Sequence, residues 1–152
     1  MSGHRVVVDW RLDGDFVGRR YSRAHTLDFG HGVVVPGSSS PSVVPLPFSR
    51  ADAVDPEAAF VAALSACHML WFLDLAARAG FVAESYRDEA EGLLTRGPDG
   101  KLMMTRVALR PQIAWRGASP PTAEQIADLH HRAHEQCFLA NSVKTEVVVE
   151  PQ

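Results

Sequence analysis

Hydrophobic residues are densest over residues 55–80, where few polar positions interrupt the run. Asp55, Pro56 and Glu57 open this stretch with a capping side chain, a residue suited to the first helical position and a negative charge. Gly80 is a typical helix stop. Because the apolar positions leave little polar face, the pattern predicts a central helix surrounded by other elements, with Cys67 near its middle.

The chain before this helix has the pattern of short strands. Weak alternation over 4–12, a second run over 16–29 and three valines over 33–35 predict three strands separated by glycine turns. Residues 36–55 contain four prolines and a serine run, which predicts a long loop.

After the helix, two further alternating runs cover 83–95 and 101–115. The Gly-Pro-Asp-Gly turn between them predicts an antiparallel pair.

A second helix is predicted to begin at Thr122, because Gln125 three residues later completes a capping box, and to run to Cys137. A last strand covers 143–149. The order βββ-α-ββ-α-β predicts an α+β fold, with helices packed on antiparallel sheet, in a single domain over 1–152.

The composition of the chain argues against several classes of partner and location. The 152 residues are 46% hydrophobic, enough for one domain, and the net charge of −3 with scattered basic residues predicts neither nucleic acid nor an acidic membrane surface as a partner. Neither a signal peptide nor a run of ~18 uninterrupted apolar residues is recognisable. We therefore expect a cytoplasmic protein.

The two cysteines, Cys67 and Cys137, each lie on an apolar face of a predicted helix. Such cysteines are often small core residues. If the two helices cross so that the sulfurs face each other, the pair could instead cycle between dithiol and disulfide, which is the chemistry of a thiol peroxidase.

A second group, His130, His134 and Cys137, has same-face helical spacing that suits a soft divalent metal, with His68 or Cys67 as a further ligand. Histidines near a helix end also occur simply because they favour the dipole. Since no paired-cysteine zinc motif is present, no metal site is predicted.

Glu57 and Cys67 are ten residues apart on the first predicted helix. Ten residues rise about 15 Å, so the carboxylate cannot touch the sulfur along a straight helix. Three possibilities follow: the helix breaks, a long arginine bridges the two groups, or the partner comes from another subunit.

Several motifs, in this order along the chain, resemble the OsmC and organic hydroperoxide resistance family. They are RYSRAH at 20–25, DPE at 55–57, AALSACHM at 62–69, HRAHEQC at 131–137 and ANSVK at 140–144. The resemblance spans nearly the whole chain. It implies two sheets around central helices, in an intertwined homodimer with its active sites at the subunit interface.

The resemblance also implies a redox-active cysteine pair that acts in the oxidative stress response as an antioxidant. Cys67 would attack the O–O bond of an organic hydroperoxide, and Cys137 would then form a disulfide with the resulting sulfenic acid. An arginine held by Glu57 would stabilise the Cys67 thiolate. The reductant would be a lipoylated protein or a small thiol, without metal, flavin or other cofactor.

The resemblance implies Arg23 as the arginine at the sulfur, because it precedes the third strand by about the distance seen in hydroperoxide-resistance members. Arg20, its neighbour, and Arg50, which resembles the position used by other family members, are the alternatives. His68 stands where an aromatic residue is usual after the cysteine, and is expected either to be an exposed or a hydrogen-bonded core histidine or to modulate the ionisation of Cys67. The candidate residues of an apolar substrate pocket are Leu46, Phe48, Phe60, His68, Trp71 and Phe138.

Two other functions remain open. One is a non-catalytic binding or redox-sensing domain, in which peroxide would oxidise the cysteines slowly or without turnover. The other is a metal-binding protein that uses His130, His134 and Cys137, which would carry stoichiometric zinc and lose stability with a chelator.

Overall fold

The structure is a computed structural model and describes residues 3–152. The chain forms two compact units, Met1–Ala59 and Phe60–Gln152, and the division falls in the first turn of the long helix. That these units belong to a single domain over 1–152 stays a prediction.

The first unit contains short antiparallel strands. Its three-stranded sheet has the order β1-β4-β5, with β1 at Val7–Trp10, β4 at His25–Asp28 and β5 at Val34–Gly37. A separate pair is formed by β2 at Gly14–Asp15 and β3 at Arg20–Tyr21.

The strand predicted over 16–29 is therefore interrupted. The indole of Trp10 donates to the carbonyl of Ser22 at 2.8 Å, and the backbone N–H of Arg23 donates to the carbonyl of Phe48 at 2.9 Å. These contacts with distant residues hold the chain between β3 and β4 away from sheet pairing. The loop predicted over 36–55 is confirmed, apart from the end of β5 and a bridge between Gly37 and Val54.

The long helix, α1, covers Pro56–Arg78. The carboxylate of Asp55 accepts from the backbone N–H of Ala58 at 2.8 Å, which confirms the predicted cap. At the other end Gly80 has φ +82°, its N–H donates to Ala77, and the N–H of Phe81 donates to Ala76. These two hydrogen bonds around a glycine in the left-handed conformation form a Schellman motif.

Only one side of α1 is buried. Leu64, His68, Phe72, Leu75 and Ala76 form this side. The opposite side is exposed and apolar, with Ala62, Ala63, Ala66, Leu70 and Ala77. The prediction of a helix surrounded on all sides is therefore wrong for the isolated chain, because the described residues cover one face.

Among the described residues, α1 is the helix that is long and apolar enough, by length and composition, to cross a membrane. Core helices of proteins outside membranes have the same length and composition. Ser65 and His68 interrupt the apolar surface and hydrogen-bond to other parts of the chain.

The second unit contains two sheets. In the larger one, β8 at Leu102–Leu109 lies between β7 at Glu91–Arg96, which is antiparallel to it, and β10 at Glu146–Val149, which is parallel. The smaller sheet is the antiparallel pair of β6 at Val82–Asp88 and β9 at Pro111–Arg116.

Each of the two strands predicted after α1 is thus divided between two sheets. The division occurs where Asp88 meets the chain near Arg110: its carboxylate accepts from the N–H of Arg110 at 2.6 Å and from the hydroxyl of Ser65 at 2.5 Å. Pro111, which follows, has no N–H for a continuing ladder. The alternating hydrophobic pattern of the sequence does not predict this corner.

The second helix, α2, covers Ala123–Gln136 and is followed by a 3₁₀ turn at Ala140–Ser142. The capping box of Thr122 and Gln125 is confirmed, with both reciprocal hydrogen bonds present. Two helices and mainly antiparallel sheets confirm the predicted α+β class, with more and shorter strands than predicted.

Two hydrophobic clusters hold the second unit together. In one, the C-terminal half of α1 packs against α2 and the β6-β9 sheet through Phe72, Leu75, Leu129 and Ala133. In the other, Leu64 packs on Val107 and Leu109 of β8. α1 contributes to both clusters, and Cys67 lies between Leu64 of one cluster and Phe72 of the other along the helix.

Candidate functional site

The two cysteines come together in the second unit. Cys67 lies near the middle of α1 and is half-buried, whereas Cys137 is the C-cap residue of α2 and is 1% exposed. Both are free thiols, and their side chains are within hydrogen-bonding reach of each other. The geometry therefore brings together the pair on which the redox hypothesis depends.

The environment of Cys137 keeps it protonated. Burial, followed by the hydrogen bond with Cys67, raises the pKa of the Cys137 thiol to about 11, although the backbone N–H of Ala140 donates to its sulfur at 3.4 Å. At neutral pH Cys137 is thus a poor nucleophile but an available proton donor.

Cys67 opens into a cavity of about 420 Å³. Trp71 and Phe138 form part of its wall, with ring centroids 5.4 Å apart in an edge-to-face arrangement. The full lining is Cys67, Leu70, Trp71, Asp74, Arg78 and Phe138. An apolar molecule that entered this cavity would meet a thiol on its wall.

His68, the neighbour of Cys67, is 1% exposed and its Nε2 is 3.0 Å from Nδ1 of His130, which is 4% exposed. Burial, together with the neighbouring histidines His130 and His134, lowers the pKa of His68 to about 4, and burial lowers that of His130 to about 4. Both rings are neutral at pH 7, so His68 does not supply a positive charge to the Cys67 thiolate.

The group His130, His134 and Cys137 does not form a metal site. Within residues 3–152 no three His, Cys, Asp or Glu side chains are placed to hold a metal ion. Nδ1 of His130 is instead engaged with His68.

Glu57 and the three candidate arginines lie in the first unit. Arg20 pairs with Asp15 at 2.8 Å and Arg50 with Asp52 at 2.7 Å. Arg23 donates from Nη1 to the carbonyls of Tyr21 and Arg19, at 2.5 Å and 3.2 Å, and stacks over the Tyr21 ring. Among residues 3–59, none of these guanidinium groups pairs with Glu57, which is half-buried.

The predicted pocket residues have different positions. Trp71 and Phe138 line the Cys67 cavity. Phe60 packs against the Leu64 cluster and His68 is in the core. Leu46 and Phe48 belong to the loop of the first unit, where Leu46 is exposed.

Three lining residues, Leu70, Asp74 and Arg78, were not predicted. Their signal is present in the sequence: they follow Cys67 by three, seven and eleven residues, which places them along one stripe of a helix. The partnership of His68 with His130 has no such signal, because 62 residues separate them.

Comparison with known proteins gives a consistent result. The model of the family described as OsmC-like protein matches residues 49–152. The structure of an OsmC-like protein of unknown function from Vibrio cholerae is 50% identical, covers 100% of both chains and superposes with a TM-score of 0.98. No curated protein sequence matches the chain.

Two organic hydroperoxide resistance proteins share the fold at lower identity. The protein from Legionella pneumophila is 19% identical, with 99% of this chain and 97% of that chain covered and a TM-score of 0.66. OhrB of Bacillus subtilis is 18% identical, with coverages of 99% and 98% and a TM-score of 0.68. At these identities the likeness shows the fold alone.

Proposed function

The chain belongs to the OsmC-like protein family, and on this basis we propose that it is a cysteine-based peroxidase that reduces organic hydroperoxides to alcohols. The observation that carries the proposal is the meeting of two free thiols, one of which lines an apolar cavity. The hydroperoxide resistance proteins among its structural relatives support this choice of substrate.

The two thiols differ in exposure, which supports a different role for each cysteine. Cys67 reaches the cavity and would attack, whereas Cys137 is buried and held protonated, so it would wait for the oxidised partner. A buried second thiol also limits overoxidation, because peroxide cannot easily reach it.

The chemistry needs two steps. The Cys67 thiolate attacks one peroxide oxygen, the O–O bond breaks, and the leaving alkoxide takes a proton and departs as the alcohol, leaving Cys67 as sulfenic acid. The Cys137 sulfur then attacks the Cys67 sulfur, which forms the disulfide and releases water. An external dithiol reduces the disulfide and becomes oxidised itself.

The thiolate requires a nearby positive charge, because a thiol with a pKa near 8.5 is only slightly ionised at neutral pH. Arg23 stays our candidate, with Arg20 and Arg50 as alternatives. Because Arg23 does not pair with Glu57 among residues 3–59, the Glu57 that holds it would come from a second copy. The hydrogen bonds of Arg23 to two carbonyls leave its charge uncompensated by any carboxylate among residues 3–59.

The reductant is proposed to be a dihydrolipoyl group or a small thiol, and the protein to act as a homodimer in the cytoplasm, without a bound cofactor. The exposed apolar side of α1 supports the dimer, since a surface of this kind favours a partner.

The test is a free-thiol count on reduced protein before and after one equivalent of cumene hydroperoxide, followed by dihydrolipoamide. We expect rapid loss of both thiols and their recovery with the dithiol. Cys67→Ser should keep its remaining thiol, and Cys137→Ser should stop at a sulfenic acid that dimedone traps.

If the thiols of the wild-type protein persist for many minutes in excess peroxide, the peroxidase proposal is wrong. A binding or redox-sensing domain with the same fold would then be the better description, because such a protein needs no turnover.

A further inference from the structure

A buried hydrogen bond joins the helix that carries Cys67 to the helix that Cys137 caps. Nε2 of His68 on α1 is 3.0 Å from Nδ1 of His130 on α2, and both residues belong to the second unit. Among residues 3–152, no other side-chain hydrogen bond connects these two helices. The bond is therefore the directional contact within a helix pair that otherwise packs through apolar side chains.

Each bonded histidine has a fixed relation to one of the cysteines. His68 follows Cys67 directly on α1. His130 precedes Cys137 by seven residues, which is close to two helical turns, so both side chains lie on nearly the same face of α2. A bond that holds His130 against His68 therefore also holds the end of α2, with Cys137, next to Cys67.

The surroundings of the bond make its loss costly. The ring of His130 also stacks on Phe72, one turn after His68 on α1, with 4.2 Å between the ring centroids. Nδ1 of His68 and Nε2 of His130 are buried and already have no partner among the described residues. A shift of α2 that broke the bond would leave two further buried ring nitrogens unpaired, and this penalty opposes the shift.

We propose that His68 and His130 are positioning residues for the formation of the Cys67–Cys137 disulfide, because their hydrogen bond fixes the register of the helices that brings the two sulfurs together. This inference rests on the proposed function. In that step the Cys137 sulfur gives an electron pair to the Cys67 sulfur, so the S–S bond forms as the S–O bond of the sulfenic acid breaks. The hydroxyl leaves as water with the Cys137 proton.

The inference separates the two chemical steps. A disulfide allows only a narrow range of distances between its two Cβ atoms, so a small change of register slows its formation. Attack on peroxide depends on Cys67 and its cavity, and the two buried histidines do not line that cavity. Loss of the bond should therefore slow the second step and leave the first unchanged.

Two double variants isolate the hydrogen bond. His68→Leu/His130→Leu removes the bond, keeps apolar side chains in the core and leaves neither partner unpaired. His68→Gln/His130→Asn instead places amide groups near the two ring nitrogens that form the bond, so that a neutral hydrogen bond can form again. The control is His131→Gln, because His131 is an exposed neighbour on α2 that pairs with Glu135.

The first measurement follows both steps after one equivalent of cumene hydroperoxide. Samples are quenched at intervals, and mass spectrometry counts the disulfide and the sulfenic acid that dimedone traps. We expect the leucine variant to form the sulfenic acid at the wild-type rate and the disulfide about tenfold more slowly, the effect of one hydrogen bond. The amide variant and His131→Gln should match the wild type in both steps.

Disulfide formation at the wild-type rate in the leucine variant would overturn the inference while leaving the peroxidase proposal intact. Slow disulfide formation in the amide variant would do the same, because the restored bond should restore the register. The amide variant decides by itself if the leucine variant does not fold.

A second measurement uses no peroxide. Oxidised dithiothreitol takes two electrons and two protons from the cysteine pair, and the equilibrium constant of this exchange reports how well the fold places the two sulfurs. We expect a constant about tenfold smaller in the leucine variant and unchanged in the amide variant and His131→Gln. This result with thiols that persist in peroxide would support the positioning role and contradict the proposed function; equal constants in all four proteins would overturn the inference.

Discussion

His68 and His130 show at the residue scale how burial changes the chemistry of a side chain. The two rings stack on each other, and His130 also stacks on Phe72 at 4.2 Å between ring centroids. Nδ1 of His68 and Nε2 of His130 are buried without a partner among the described residues. A proton on either ring would therefore be poorly solvated, which is why both pKa values fall.

The histidine pair predicts a pH-dependent stability. In the folded protein both pKa values are about 4, whereas an unfolded histidine has a pKa near 6.5. The unfolded state therefore binds more protons between these values. Burial of the two neutral histidines therefore contributes fully to the free energy of unfolding above about pH 6.5. This contribution is lost as the pH falls towards 4, by about 2 kcal/mol per histidine.

Urea unfolding at pH 7.5 and pH 4.5 measures this loss. The double variant His68→Leu/His130→Leu should lose less stability over the same interval, because it keeps only the contribution of the carboxylates and the other histidines. An identical pH dependence in the double variant and the wild type would contradict the assignment.

At the scale of elements, the helix ends were predictable in detail. The capping box at Thr122 satisfies backbone groups that otherwise have no partner in the first turn of α2. Its residues are three positions apart, so the interaction is contained in the local sequence. The same holds for Asp55 and for the Schellman motif at Gly80.

We expect Thr122→Ala to lower the free energy of unfolding by about 1 kcal/mol, because the N–H of Gln125 loses its acceptor. Ser119→Ala is the control: Ser119 is exposed shortly before the helix, and its hydroxyl has no hydrogen bond among the described residues. Chemical denaturation of both variants measures the difference, and equal stabilities would show that the cap contributes nothing.

Strands were less predictable than helices. The run predicted over 83–95 becomes β6 and β7 in different sheets, because Asp88 binds Ser65 and the backbone of Arg110 at the corner. Both halves keep an alternating pattern, so periodicity alone reads them as one strand. The interruption depends on contacts across more than twenty residues.

At the scale of the whole molecule, the exposed side of α1 is an apolar surface that the isolated chain leaves uncovered. Ala62, Ala63 and Ala66 are exposed, and Leu70 is 63% exposed. Burying this side against a second copy would remove apolar area from water. A homodimer, as the family resemblance implies, is the expected assembly.

Sedimentation velocity at micromolar concentration should give a dimer. Ala63→Glu should shift it towards monomer, because each copy would place a charge on the apolar side of α1. Ala123→Glu introduces the same change at an exposed alanine in the first turn of α2, where a negative charge is favourable, and should remain dimeric. A monomeric wild type would contradict the prediction.

The sequence by itself determined the two helices, their caps, the α+β class and the two cysteines as the residues to follow. These features depend on interactions within a few positions or on periodicity, both of which a sequence contains directly. The family resemblance added the order of roles, with Cys67 first and Cys137 second.

Only the tertiary structure decided which side chains meet. It placed Cys137 against Cys67, paired His68 with His130 instead of with a metal, packed Phe60 against the Leu64 cluster and added Arg78 to the cavity. Except along α1, these contacts join residues far apart in the chain, and they arise when both hydrophobic clusters form on the buried side of α1. Local patterns cannot encode these contacts, because their partners are selected by packing.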